Sequence, residues 1–178
     1  VLHTYTAKHH KRGLRGVKNV RTQSQPRIKW HMLRRRKSDA PFLRQNLVAG
    51  LGQGAPCEVD LVLTADGHAV CLHDRTLDRE TSGRGRIADA TRASVEQLCQ
   101  RGPDGAMLSS APLFLDEVAA AVHANGAARA QVQLDIKARA DAFDARALDR
   151  LAGVLGGHAD AFIASAYDWD TVRRVAAA

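Results

Sequence analysis

The feature that most constrains the fold of this 178-residue chain is an alternation of short apolar runs with amphipathic stretches. "CEVDLVLT" (57–64) alternates and then turns apolar, as a strand does. After the turn signal Ala65-Asp66-Gly67 comes a second strand candidate, "HAVCLHD" (68–74). "ARAQVQLDIK" (128–137) and "DAFIASAY" (160–167) follow, and "RIKWHM" (27–32) precedes them. Between these runs, "FLRQNLVAGLGQGA" (42–55) has Leu43, Leu47 and Leu51 at helical spacing. Helices are also predicted over "DATRASVEQL" (89–98), "LFLDEVAAAVHANG" (113–126), "DARALDRLAGVLGG" (144–157) and "DWDTVRRVAAA" from 168. Mostly alternating strands and helices imply an α/β fold with a parallel sheet. Its closed form is a TIM-like (β/α) barrel, which takes about 250 residues. The expectation is therefore a barrel incomplete at the C-terminus, with about five of eight strands.

Charge divides the chain. Residues 1–44 carry 13 Lys and Arg against the single acid Asp39, a balance of +12. Residues 45–178 carry 13 Lys and Arg against 18 Asp and Glu, a balance of −5. Residues 1–26 show no steady period and read as a basic, disordered extension; 27–178 read as the barrel domain. The head has few aromatics and no nucleic-acid motif, so no specific nucleic-acid partner is expected. No apolar stretch approaches a membrane span. Cys57, Cys71 and Cys99 lack CxxC spacing, which argues against a disulfide framework or a zinc site. Strand parity puts Cys57 opposite Glu58 and Asp60, and Cys71 on their side, so the two should not pair. A reducing, cytoplasmic compartment is the simpler expectation.

In a (β/α) barrel the chemistry sits at the C-terminal strand ends. His31 closes the first strand candidate, Asp60 lies late in the second, His73 closes the third, and Asp135 and Lys137 close the fourth. Glu58 and Asp60 are two residues apart, so they share a face and can grip one cation. Oxygen-only ligands suit a hard divalent ion, Mg²⁺ or Ca²⁺. Asp135 can complete the set from across the barrel. Two flanking imidazoles can act as general acid and base, and Lys137 can hold an anionic group. This combination suits attack on a small-molecule phosphodiester. Taken singly, each feature also has a plainer reading: a solvated Glu-x-Asp face, a structural His73-Asp74 pair, an Asp135–Lys137 ion pair. His9, His10, His68, His123 and His158 have no such setting.

"EVDLVLTADGHAVCLHDRTLDRETSGRGRIADATRASVEQL" (58–98) closely resembles the glycerophosphodiester phosphodiesterase family. The shared pattern is Glu-x-Asp, Thr-x-Asp-Gly, a short strand, His-Asp, and a Leu-x-Arg-x-Thr-x-Gly-x-Gly loop. "APLFLDEV" (111–118), "VQLDIK" (132–137) and residues 30–60 resemble further family segments. The resemblance implies a TIM-like barrel, a divalent cation, and hydrolysis of glycerophosphodiesters to an alcohol and glycerol 3-phosphate. By position it makes Glu58, Asp60 and Asp135 metal ligands and His31 and His73 the acid/base pair. Three departures stand out. The family's His-Arg-Gly reads His31-Met32-Leu33 here, so the phosphate-binding arginine is displaced, with Arg34 or Arg35 as the substitute. Pro-Glu-Asn-Thr reads Arg44-Gln45-Asn46-Leu47. The third ligand, usually Glu, is Asp135, about one methylene shorter.

Other functions remain open on the sequence, the first of them equally a two-histidine chemistry. They are a phospholipase- or sphingomyelinase-D-like enzyme of the same superfamily, a barrel fragment without turnover, and a nucleic-acid-binding protein led by the basic head.

Overall fold

The computed structural model describes residues 28–125 and 131–178. The basic extension (1–26) and the start of the 128–137 strand candidate lie outside the described residues. The sheet contains β1 (Cys57–Leu63), β2 (Ala69–Cys71), β3 (Val132–Ile136) and β4 (Phe162–Ala166). Its order is β2-β1-β3-β4. β1 pairs with β3, and β3 with β4, in parallel.

β2 is antiparallel to β1, with Leu61 opposite Cys71 and Leu63 opposite Ala69. The cause is local. Only a tight turn separates the strands, and a parallel neighbour needs a long crossover. Gly67, at φ +79, makes that turn, and the Thr64 hydroxyl donates to Asp66 Oδ1 at 2.8 Å. This corrects the parity reading of the cysteines. Cys71 lies beside Leu61 and shares the outer core with Cys57, away from the carboxylates. The two are free thiols all the same. Cys57 lies four residues along β1 from Leu61, about 13 Å at ordinary strand rise, beyond disulfide reach.

The first strand candidate shrinks to one parallel bridge, Trp30 with Cys57. His31–Leu33 then curls into a 3₁₀ turn, with Met32 at φ 52 and Leu33 at φ 56. Among the described residues, four strands and this bridge therefore stand where five strands were expected.

The helices in the described residues are α1 (Arg44–Gly52), α2 (Arg92–Val95), α3 (Leu115–Ala124), α4 (Ala145–Leu155) and α5 (Trp169–Ala176). Four of the five pack on the outer face, and α2 joins a smaller apolar cluster through Val95. Gly50 lets α1 approach closely, since a Cβ there would meet Cys57 Sγ at 2.7 Å. Glu117 Oε2 accepts the Phe114 N–H at 3.0 Å, satisfying the start of α3. Asp144 and Asp168 cap α4 and α5. The helix predicted over 89–98 is only the single turn α2, capped by Thr91.

Two apolar clusters result. Val59, Leu61, Val132, Leu134 and Ile136 join α1, α3 and α4 outside the sheet. On the other face, Val62, Val70, Leu72, Ile87 and Phe114 close a smaller cluster under the loop after β2. Among the described residues no helix is long and apolar enough to cross a membrane.

The register of β3 and β4 gives a stability test. Leu134 is 1% exposed, whereas Ile163 on the opposite face is 48% exposed. Leu134→Ala should cost about 2–5 kcal/mol in urea unfolding, and Ile163→Ala no more than about 0.5 kcal/mol.

Candidate active site

Alternation along β1 turns Glu58 and Asp60 away from the apolar face that carries Cys57, Val59 and Leu61. In the parallel ladder Asp60 stands opposite Asp135, and Glu58 opposite Gln133. The third carboxylate therefore comes from the neighbouring strand, not from across the barrel. One oxygen from each of Glu58, Asp60 and Asp135 falls within 4.8 Å of the others. Glu58 and Asp60 are buried and Asp135 is half-buried.

Three like charges at this depth need compensation. Lys137, one residue past β3, supplies part of it. Its Nζ lies 2.9 Å from Asp60 Oδ1 and 2.7 Å from Asp135 Oδ2. Burial disfavours the ammonium, but hydrogen bonds to Asp135 and Asp60 outweigh it and raise the lysine pKa above its ordinary range. The Met32 N–H donates to Glu58 Oε2 at 2.6 Å. The left-handed turn at Met32 and Leu33 aims that amide inward, at the place where the family motif has Arg-Gly. Burial raises the Glu58 pKa and the charge of Asp60 adds to it, while the Met32 amide and His31 oppose the rise.

The balance remains incomplete. Asp60 meets the Lys137 ammonium through Oδ1 alone, and among the described residues its buried Oδ2 has no partner. Three carboxylates against one ammonium leave two negative charges. An all-oxygen donor set with a −2 surplus fits a hard divalent cation.

The histidines are held differently. His31 is exposed, with Nε2 3.8 Å from Glu58 Oε2, too far for a hydrogen bond. His73 lies two residues past the end of β2, in a loop rather than on a strand. Glu80 Oε2 accepts both the His73 and Asp74 backbone N–H groups, at 2.9 and 3.0 Å. The His73 ring meets Asp74 Oδ1 through Nδ1 at 3.0 Å, and Arg79 grips both Asp74 oxygens at 2.6 Å. Burial alone would raise the Asp74 pKa, but Arg79 and His73 hold it below the usual carboxylate range. Asp74 thus engages the ring through Nδ1, which turns Nε2 away from it.

Sequence reasoning missed Arg79 and Glu80, although the Leu-x-Arg-x-Thr loop contains the first. His73 makes no hydrogen bond or ion pair with the three carboxylates. Arg34 makes none either, and its Nε is buried without a partner. Arg35 lies over the Trp30 ring at 5.6 Å.

The sequence pattern of the Glycerophosphoryl diester phosphodiesterase family matches residues 50–178. The chain belongs to that family. Among relatives of this phosphodiesterase-family chain, a bovine glycerophosphodiester phosphodiesterase 1 is 42% identical over 65 residues, 34% of this chain and 19% of the relative. A probable glycerophosphodiester phosphodiesterase 1 of Mycobacterium tuberculosis is 38% identical over 71 residues, 36% of this chain and 26% of its own. Two solved structures extend the likeness in fold. The Agrobacterium tumefaciens glycerophosphodiester phosphodiesterase has a TM-score of 0.66 at 22% identity, over 86% of this chain and 63% of that one. An Oleispira antarctica phosphodiesterase, in complex with the product sn-glycerol-3-phosphate, has a TM-score of 0.66 at 21% identity, over 85% and 62%. The chain thus spans under two thirds of these solved structures, and its four-stranded sheet is an open arc of their TIM-like barrel.

Two predictions follow from the charge arrangement. Lys137→Met should destabilise the fold by about 3–5 kcal/mol, because it strips the cation from buried carboxylates; urea unfolding at neutral pH reads this. Because the folded pKa of Asp74 is depressed, its stabilising contribution is full above the unfolded value and is lost as pH falls through the folded one. Arg79→Ala should therefore flatten the acid limb of a stability-versus-pH curve relative to wild type.

Proposed function

We propose that this chain hydrolyses glycerophosphodiesters to an alcohol and glycerol 3-phosphate, with a divalent cation held by Glu58, Asp60 and Asp135. The observation that carries this reading is the carboxylate trio, with the buried Asp60 Oδ2 left without a partner and a charge surplus of −2. The bound cation supplies charge neutralisation at the phosphate and a lower pKa for the attacking hydroxyl. His73, oriented by Asp74 through Nδ1, takes the proton of that hydroxyl at Nε2. His31, on the Glu58 side of the site, gives a proton to the leaving alkoxide. The attacking hydroxyl is a substrate glycerol oxygen. It forms a cyclic phosphate as the alcohol leaves, and water then opens the ring. The product named for the Oleispira antarctica structure, sn-glycerol-3-phosphate, is the expected second product here.

A barrel without turnover is the competing reading. Its support is Lys137, which already gives Asp60 and Asp135 an internal cation. Mg²⁺ or Ca²⁺ should raise the wild-type melting temperature, and Asp135→Asn should abolish the rise. Turnover of glycerophosphocholine should fall about 10²-fold or more in His73→Ala. No cation-dependent melting shift and no turnover in wild type would establish the competing reading.

A further inference from the structure

Beyond the ends of β1 and β3, next to the backbone that follows Lys137, the chain forms a cavity of about 610 Å³. Its floor is apolar and includes Val62, Leu63 and Ile87. Three arginines line it: Arg75, Arg86 and Arg139. The single acid in the lining is Asp141.

Arg44, Arg79 and Arg92 each pair with a carboxylate. Among the described residues, none of Arg75, Arg86 and Arg139 is in an ion pair, which leaves their guanidinium groups open to an oxyanion. Two of them are held in place by backbone. Arg86 bridges Thr76, and the Ile87 N–H donates to the Arg75 carbonyl at 3.1 Å. The Arg75 guanidinium donates to the Lys137 carbonyl at 2.9 Å. Lys137 thus belongs to both places. Its ammonium meets Asp60 and Asp135, and its carbonyl anchors the wall of the cavity.

We propose that this cavity receives the leaving alcohol of the phosphodiester, and that it selects alcohols bearing a second anionic group, a phosphate or a carboxylate. This rests on the hydrolytic reading above. Guanidinium forks match both oxyanions in geometry and charge. The volume lies in the range of small-molecule sites, and an apolar floor with a few charged groups at its margin is their usual composition. The diester phosphate itself is accounted for at the carboxylate-held cation, so the arginines act on a different part of the substrate.

Two measurements on the full chain test this. The first is calorimetric titration with inositol monophosphate as probe. Binding should persist in Asp135→Asn and weaken about tenfold for each of Arg86→Ala and Arg139→Ala. Both arginines are exposed, so unchanged melting curves should accompany the loss. The second compares kcat/KM for glycerophosphoinositol phosphate, glycerophosphoserine and glycerophosphocholine. At least one anionic alcohol should be favoured about tenfold or more, and the preference should vanish in the double variant through loss on the anionic substrates, with no loss on glycerophosphocholine. The inositol phosphate and serine arms tell a phosphate from a carboxylate. Equal kcat/KM for all three, or probe binding indifferent to both substitutions, would overturn the proposal. Absence of any turnover would instead defeat the hydrolytic reading, and the titration would still decide whether the arginines bind an oxyanion.

Discussion

The pairing of β1 with β3 is the constraint on which the rest depends. Parallel register sets Asp60 beside Asp135 and carries Lys137 to the same place. A shift of one residue would turn Asp135 into the apolar layer and Leu134 towards the carboxylates. The register is fixed by the outer face, where Val59, Leu61, Leu134 and Ile136 pack under α1, α3 and α4. The apolar layer thereby holds together a cluster of like charges that would otherwise repel.

The fold meets that electrostatic cost from three directions. An ammonium comes from the end of β3, a backbone amide from the turn after Trp30, and an imidazole lies near Glu58 from the same turn. The amide requires left-handed backbone at two residues with side chains, Met32 and Leu33. Such backbone costs of order 1 kcal/mol at each. The buried Leu33 side chain offsets it by packing in the outer core. Where the family motif carries glycine, this chain trades backbone ease for a buried leucine.

The loop after β2 serves the second histidine. Glu80 fixes the backbone of His73 and Asp74, and Arg79 fixes Asp74, which in turn orients the ring. The same loop closes the smaller apolar cluster through Leu77 and Ile87. A reader of the sequence sees His73-Asp74 at once. Glu80 is harder to recognise, because its role lies in the hydrogen bonds its carboxylate accepts, not in any motif position.

The alternation of elements and the shared face of Glu58 and Asp60 were legible in the residues alone. The sequence also marked Asp135, Lys137 and His73 as candidates, because side-chain parity and helical spacing are local consequences of backbone geometry. It did not determine that the first strand collapses to a bridge at Trp30, or that Asp135 approaches from the adjacent strand. Those outcomes depend on pairing between distant segments, which local propensity does not encode. It took the folded chain to place Lys137 among carboxylates and to bring Arg75, Arg86 and Arg139 to the border of one cavity. Both arrangements come from packing, which brings charges together wherever burial of the apolar face leaves them.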